Sequence, residues 1–162
     1  MDIILRTQLA MRTAAIAHKG PYMEIGKTFR ELFHWAKSAG AFIPDPPNGG
    51  PQWGIGIYYD NPMVTPPDEL RSEACIVVPD GFEVSGSGVR ELTIPSGTYA
   101  VTTFVGPYSE LGTAWQEFMS HGLLQTSHHP DYDRPCMEFY IDDCNTVAAE
   151  ELRTELLVPV KE

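Results

Sequence analysis

The sequence predicts an α+β domain in which a β-β-α-β-β module is duplicated, with two helices on one side of a pseudo-twofold antiparallel sheet and a central groove between the copies. Two observations predict this fold class: short motifs recur at a nearly constant spacing, and strand-like and helix-like patterns alternate in each copy. The length of 162 residues and the hydrophobic content of 43% suit one domain with a sizeable core. We expect repeat one over about residues 3–80 and repeat two over about residues 88–161.

An internal repeat of motifs supports the duplication. Gly20-Pro21-Tyr22 recurs 86 residues later as Gly106-Pro107-Tyr108. Further along the chain the spacing becomes 82 residues, and the charged segment 69–73 (ELRSE) falls on the segment 151–155 (ELRTE). Because helices and strands match in the same order in both copies, duplication of a whole module is favoured over chance.

Each module is predicted to begin with a β-hairpin, because two segments rich in strand-forming residues lie a few residues apart. Strands 3–8 and 12–19 would form the first hairpin, and strands 89–94 and 98–105 the second. Pro95-Ser96-Gly97 would supply the second turn, since Pro and Gly adopt the dihedral angles that turns require.

A helix and two further strands complete each module. Apolar residues at positions i, i+4, i+7, i+8 and i+11 follow each Gly-Pro-Tyr motif, which is the stripe of an amphipathic helix. Loops rich in Pro, Gly and Ser separate the remaining segments. The predicted elements are helices 23–39 and 109–124, strands 53–59 and 70–78 in the first copy, and strands 136–141 and 152–160 in the second.

The charge of the chain limits its partners. Lys and Arg number 11 against 22 Asp and Glu, which gives a formal net charge of −11. Nucleic-acid binding depends on basic side chains that neutralise phosphates, so we expect no direct binding of DNA or RNA. An acidic protein favours a cationic small molecule or a basic protein surface as its partner.

Other classes of protein are excluded by patterns that the sequence lacks. No apolar run approaches the ~18–20 residues of a membrane helix, so we expect no membrane partner. Cys75, Cys136 and Cys144 form no C-x-x-C motif, which favours a reduced, cytoplasmic protein. No phosphate-binding glycine loop or dinucleotide fingerprint occurs, so we expect no cofactor. We expect a monomer without a metal, and interpret the histidine pair in loop 127–135 as solvated rather than zinc-binding or nickel-binding.

Glu138 is the leading candidate for a site residue. Alternation along strand 136–141 places Glu138 and Tyr140 on one face. A carboxylate among Tyr140, Tyr58 and Trp115 would be partly desolvated, and its pKa would be raised unless a cation paired with it. A planar cation there would also gain ~0.5–2 kcal/mol from each aromatic ring. The alternative is an exposed strand glutamate with Tyr140 packed at its rim.

The two copies differ at the position of this glutamate. The first copy carries Gly56 where the second carries Glu138, whereas Tyr58 matches Tyr140. A glycine within a strand often marks the close approach of a ligand or of backbone. We therefore predict a groove at the junction of the copies, with Glu138 on one wall, open space at Gly56, and the two tyrosines facing each other. A large side chain at Gly56 would fill this groove at a modest cost in stability.

Two further aromatic residues are candidates for ligand binding. Tyr108 ends the second Gly-Pro-Tyr motif, and Trp53 begins a predicted strand. The alternative for both residues is a structural role, in packing or in starting the helix.

The second copy also departs from the first in the loop after the Glu138 strand and at the end of the second helix. Loss of prolines from that loop predicts a looser backbone there. The substituted positions are His121 for Trp35, Cys144 for Pro62, Ala148 for Pro66 and Ala149 for Pro67.

Four motifs resemble the GyrI-like family of small-molecule-binding domains, and the resemblance covers essentially the whole chain. The motifs are Tyr58-Tyr59-Asp60-Asn61-Pro62, Ser96-Gly97-Thr98-Tyr99-Ala100, Gly106-Pro107-Tyr108 and Pro135-Cys136-Met137-Glu138-Phe139-Tyr140.

The resemblance implies a cradle of two modules whose groove binds hydrophobic, often cationic, drugs or toxins. It places Glu138 at the base of the pocket, and it implies protection from toxic compounds, modulation of DNA gyrase, or both. It also implies an enzymatic alternative, the hydrolysis of cyclopropane-bearing genotoxins. Glu138 would then steer or deprotonate the attacking water, and Tyr140 or Trp115 would hold the substrate.

Overall fold

Eight strands form one antiparallel sheet and two helices pack on one face of it in the computed structural model, which describes residues 1–161. The order of strands and helices along the chain confirms the predicted α+β fold class. Neither helix is long and apolar enough to cross a membrane, and no other segment of the described chain offers such a helix. The elements are β1 (Ile4–Gln8), β2 (Met11–Lys19), α1 (Gly26–Ala39), β3 (Ile55–Tyr58), β4 (Arg71–Val77), β5 (Arg90–Ile94), β6 (Gly97–Val105), α2 (Leu111–Ser120), β7 (Cys136–Tyr140) and β8 (Arg153–Pro159).

The strand order shows the pseudo-twofold symmetry of the sheet. It reads β1-β6-β8-β7-β3-β4-β2-β5, so each strand has its counterpart from the other copy at the mirrored place. The equivalent strands β3 and β7 pair with each other at the centre. Gly56 lies directly opposite Glu138 in this ladder, and the pseudo-twofold axis therefore passes between these two residues.

The predicted hairpins are wrong, because the first strand of each copy pairs with the other copy. β1 pairs with β6 and β2 pairs with β5. The same register continues past the break between β1 and β2 and the break between β5 and β6, since Gln8 pairs with Gly97 and Met11 with Ile94. Pro95 has no N–H to donate, so it interrupts the ladder at this point without reversing the chain.

The sheet curls around an apolar core on the face turned away from the helices. This core brings together residues from nearly every strand, including Met11 and Ile94 near one end of the sheet order and Val101 near the other. Phe139 and Leu157 at its centre are 1% and 0% exposed. The opposite face is covered by α1 and α2, and it carries the candidate site.

Both helices are shorter than predicted. A short 3-10 turn, Tyr22–Glu24, precedes α1, which ends before Gly40 in the left-handed conformation (φ 73°) that glycine adopts without strain. Helix α2 ends at Ser120, and a second 3-10 turn, Gly122–Gln125, replaces its predicted last turn. Glycine is a poor helix former, which explains why the regular helix stops before Gly122.

The loop after β7 has the same backbone conformation as its counterpart in the first copy, although it lacks the prolines. Ala148 has φ −60° and ψ 143°, nearly the same backbone conformation as Pro66 with −57° and 143°. A 3-10 turn follows in both loops, at Pro67–Glu69 and at Ala149–Glu151. Equivalent ion pairs anchor both loops. The ion pairs are Asp60–Arg71 at 2.8 Å and Asp142–Arg153 at 2.7 Å.

Candidate ligand-binding site

Glu138 lies at the middle of the sheet on the face covered by the helices. Its strand is short and buried, and alternation along it turns Glu138 and Tyr140 towards the helices while Phe139 enters the opposite core. The Glu138 residue is only 4% exposed. The alternative interpretation of Glu138 as an exposed strand residue is therefore wrong.

Three donors surround the carboxyl group of Glu138. The Tyr140 hydroxyl donates to Oε1 at 2.6 Å, and the indole Nε1 of Trp115 donates to Oε2 at 2.6 Å. The Tyr58 hydroxyl lies 2.8 Å from Oε1 and 2.8 Å from the Tyr140 hydroxyl. The structure thus brings together four of the residues that the sequence singled out, two from β7, one from β3 and one from α2.

Burial dominates the electrostatics of this cluster. Desolvation raises the pKa of Glu138, and the hydrogen bonds from Tyr140, Trp115 and Tyr58 oppose this rise without cancelling it. Desolvation and the nearby carboxyl also raise the pKa of Tyr58 and Tyr140 well above the ordinary value of a phenol. Within residues 1–161, no Lys, Arg or His forms an ion pair with Glu138.

A shell of aromatic rings encloses the two tyrosines in a nearly symmetric way. The Tyr22 ring packs edge-on against Tyr58 at 4.7 Å between centroids, and Tyr108 packs edge-on against Tyr140 at 5.6 Å. Phe29 from α1 also contacts Tyr140, at 5.2 Å. The sequence analysis did not include Tyr22 among the site residues. The repeat itself could have found it, since Tyr22 is the counterpart of Tyr108.

The space predicted over Gly56 is occupied. A Cβ atom at Gly56 would lie 2.6 Å from the Tyr58 hydroxyl and 2.9 Å from the Tyr140 hydroxyl. The phenol rings lean over this glycine because their hydroxyls reach for Glu138 on the neighbouring strand. In this structure the predicted central groove is filled by the tyrosine side chains, and Gly56 forms its floor.

Trp53 is not brought to this cluster. Its ring packs against Phe33 at 6.3 Å and against Phe42 at 5.1 Å, in the aromatic group between α1 and the following loop. Trp53 therefore belongs with the packing of the first helix.

An open cleft of about 730 Å³ lies beside α2, away from the predicted groove. Its walls come from the N-terminal residues, from β6 and from one side of the helix. Four carboxylates line it, those of Asp2, Glu110, Glu117 and, on β8, Glu155. No sequence pattern predicts this cleft, because it forms where β1 pairs with the second copy.

The described residues contain no group of three or more His, Cys, Asp or Glu side chains placed to hold a metal ion. In loop 127–135, the Asp131 carboxylate accepts a hydrogen bond from Arg134 at 3.0 Å. This ion pair and backbone hydrogen bonds to the end of β8, such as Asp131 N–H to Pro159 O at 2.8 Å, hold the loop.

A change in the pH dependence of stability should reveal the buried carboxyl group. In Glu138→Gln the side chain keeps its shape and loses its titration. Because burial raises the pKa of Glu138 above its unfolded value of about 4.3, the wild-type protein loses stability as the pH rises from that value through the folded-state pKa. We therefore expect the unfolding free energy of the variant, relative to wild type, to increase with pH by up to about 1.4 kcal/mol per pH unit within this window.

Chemical denaturation of both proteins from about pH 4 to about pH 8 measures this difference. Asp60 and Asp142, whose pKa values are lowered by their arginine partners, are present in both proteins, so their contributions cancel. A difference that stays constant over the whole range would contradict the expected titration.

Comparison with known proteins identifies the family. The family model described as a GyrI-like small molecule binding domain matches residues 1–161. A protein named DNA gyrase inhibitor from Citrobacter koseri is 28% identical over 164 residues, covering 99% of both chains. A protein with the same name from Escherichia coli K12 is 31% identical over 136 residues, covering 82% of this chain and 81% of that protein.

Solved structures have the same fold at low identity. The chain matches the EcmrR C-terminal domain with a TM-score of 0.78 and 18% identity, covering 99% of this chain and 98% of that domain. It spans only 57% of EcmrR in its complex with DNA, at the same TM-score and 16% identity.

Two further solved structures with this fold are a ligand-bound protein and a hydrolase. SAV2435 bound to tetraphenylphosphonium matches with a TM-score of 0.67 and 17% identity, covering 99% of this chain and 94% of that one. A hydrolase from Listeria innocua matches with a TM-score of 0.63 and 16% identity, covering 98% of this chain and 91% of that one. With the family model matched from residue 1 to residue 161, this chain belongs to the GyrI-like family of small-molecule-binding domains.

Proposed function

We propose that the protein binds hydrophobic, cationic small molecules at Glu138, with Tyr58, Tyr140, Trp115 and Tyr108 around the ligand. The observation that carries this proposal is a carboxyl group that is 4% exposed and has no positively charged partner among residues 1–161. A buried carboxylate is unfavourable unless a cation and hydrogen bonds compensate it. A cationic ligand would supply the missing charge.

The aromatic shell supports a ligand with a flat or ring-bearing body. Cation–π contacts with tyrosine and tryptophan contribute ~0.5–2 kcal/mol each when water is excluded. Entry requires Tyr58 and Tyr140 to turn away from Gly56, which opens space down to the backbone because that residue has no side chain. The structural neighbour SAV2435 is bound to tetraphenylphosphonium, a bulky aromatic cation, which supports a ligand of this class.

Titration with tetraphenylphosphonium tests the proposal. We expect saturable binding to the wild-type protein and affinity at least about tenfold lower in Glu138→Gln, equivalent to about 1.4 kcal/mol or more. Glu151→Gln is the matched control, because it makes the same substitution at an exposed glutamate outside the cluster, and it should bind like the wild type. No binding to the wild type, or equal binding to Glu138→Gln, would overturn the proposal.

The biological role we propose is protection from toxic compounds together with modulation of DNA gyrase. Relatives that span most of this chain are named DNA gyrase inhibitor, which supports gyrase as a partner. A net charge of −11 suits electrostatic competition for the basic surfaces with which gyrase holds DNA. A supercoiling assay at increasing ionic strength tests this mechanism, because inhibition should weaken with salt. Inhibition that is independent of salt, or no inhibition, contradicts it.

We further propose that the protein acts as a monomer in a reducing, cytoplasmic environment. One chain supplies all of the groups around Glu138, and the three cysteines are all free. Sedimentation at micromolar concentration tests the monomeric state.

A second candidate function is hydrolysis of a strained electrophile such as a cyclopropane-bearing genotoxin. The observation in its favour is the structural match to a hydrolase, combined with a carboxyl group of raised pKa beside two phenols. Glu138 would act as the general base and Tyr140 or Trp115 would hold the substrate. Mass spectrometry after incubation with such a compound tests this role, and substrate left unchanged by high protein concentrations would exclude it.

A further inference from the structure

The oxygen atoms around Glu138 form a triangle that requires three protons. Oε1 lies 2.6 Å from the Tyr140 hydroxyl and 2.8 Å from the Tyr58 hydroxyl, and the two hydroxyls lie 2.8 Å apart. Each phenol carries one proton, so together they supply a hydrogen bond for only two of the three contacts. With an ionised carboxylate, one pair of oxygens would face each other without a proton between them. A proton on Glu138 completes the triangle.

Among residues 1–161, no charged side chain forms an ion pair with Glu138 that would hold its carboxylate form. The neighbouring elements α1, α2, β4 and β8 present side chains that do not titrate, and the remaining neighbours present phenols and a thiol. The side chains that do not titrate are Phe29, Trp115, Ala74 and Leu156. The titratable ones are Tyr58 on β3, Tyr140 and Cys136 on β7, and Tyr108 before α2, with Tyr22 behind Tyr58.

These titratable neighbours stay neutral near physiological pH. Burial raises the pKa of the Cys136 thiol to about 11, and it raises the pKa of the four phenols above the ordinary value. Burial likewise raises the pKa of Glu138 itself. The carboxyl group of Glu138 is therefore the one group in this cluster whose charge can change when a ligand arrives.

We infer that Glu138 carries a proton in the ligand-free protein and that a monovalent organic cation binds in exchange for this proton. The inference rests on the proposed function, since it concerns the same site. In the exchange, the O–H bond of the carboxyl group breaks and the proton passes to the solvent. The carboxylate left behind offsets the charge of the cation, so the net charge of the buried site stays at zero before and after binding.

This exchange defines the class of ligand by charge. One carboxyl group compensates one positive charge, so the site selects monocations over dications and anions, which would bury uncompensated charge. Neutral aromatic ligands that displace the tyrosines bind to the protonated form and release no proton. The pH therefore sets which of these two classes binds more tightly.

Calorimetric titration with tetraphenylphosphonium tests the exchange, because this ion has a permanent charge and no proton of its own. Comparing buffers with different ionisation enthalpies at one pH counts the protons released on binding. We expect about one proton per cation at about pH 5, where the carboxyl group is protonated in the free protein. The affinity should rise by up to about tenfold per pH unit and level off above the pKa of Glu138.

Two controls keep the result specific to Glu138. Triphenylphosphine oxide, a neutral ligand with similar rings, should bind without proton release at the same pH. In Glu138→Gln, any remaining affinity for tetraphenylphosphonium should be independent of pH, whereas Glu151→Gln should show the full proton release.

The outcomes separate this inference from the proposed function. Binding of tetraphenylphosphonium that releases no proton at about pH 5, with an affinity that is flat up to about pH 8, overturns the exchange and leaves the proposed function standing. Absence of binding at every pH overturns the proposed function and the exchange together. Proton release that persists in Glu138→Gln overturns the assignment of the proton to this residue.

Discussion

We expect replacement of Gly56 by tryptophan to abolish tetraphenylphosphonium binding and to lower the stability of the folded protein. A Cβ atom at this position already comes within 2.6 Å of the Tyr58 hydroxyl, so an indole ring must push both phenols away from Glu138. Overpacking of this kind costs about 1–3 kcal/mol. The modest cost expected from the sequence assumed open space at Gly56, and the tyrosines occupy that space.

Thermal unfolding and tetraphenylphosphonium titration on the same variant measure both effects. Gly112→Trp is the matched control, because a Cβ atom at this exposed position on α2 meets no atom within 4 Å. It should change stability by no more than about 0.5 kcal/mol and retain binding. A Gly56→Trp protein with full affinity and an unchanged melting temperature would show that the tyrosines do not cover a binding site.

We expect truncation of Phe118 to alanine to lower the free energy of unfolding by about 3–5 kcal/mol. Phe118 is 0% exposed and packs between α2 and the sheet, where its ring stacks on Trp115 at 6.0 Å. Its removal leaves a cavity beneath the indole that donates to Glu138. We therefore expect weaker tetraphenylphosphonium binding in addition to the lower stability, because Trp115 loses the neighbour that holds its position.

Denaturant unfolding of Phe118→Ala and Met119→Ala measures this contribution. Met119 is the next residue on the same helix and is 39% exposed, so its truncation should change stability by no more than about 0.5 kcal/mol. Equal losses in the two variants would contradict the packing of α2 described above.

The two copies contribute different residues to the site. The second copy contributes Glu138, Tyr140 and Trp115, and the first contributes Tyr58 and the glycine floor at position 56. Because the axis runs between Gly56 and Glu138, a second glutamate at the equivalent position would face the first at close range. One carboxyl group and one glycine therefore leave room for a single cation.

Features with a local or repeated signature could be predicted from the sequence. The amphipathic stripe predicted both helices, and the two-residue alternation placed Glu138 and Tyr140 on one face of their strand. The repeat relates Tyr58 to Tyr140, whose hydroxyls are in contact in the structure, and it predicts the order of elements in both copies. Period and repetition depend on neighbouring residues alone, so they can be read without knowledge of the fold.

Strand pairing and side-chain packing depended on residues far apart in the chain. Pro95-Ser96-Gly97 is compatible with a turn and with a bend in a continuing strand, and the pairing of β5 with β2 and of β6 with β1 selects the bend. The burial of Glu138 likewise depends on residues that are distant in the sequence. Trp115 on α2 lies 23 residues from Glu138, and Tyr58 lies 80 residues from it. Local patterns assign a residue to a face of its strand. Its burial, hydrogen bonds and pKa are set by the residues, distant in the sequence, that pack against that face.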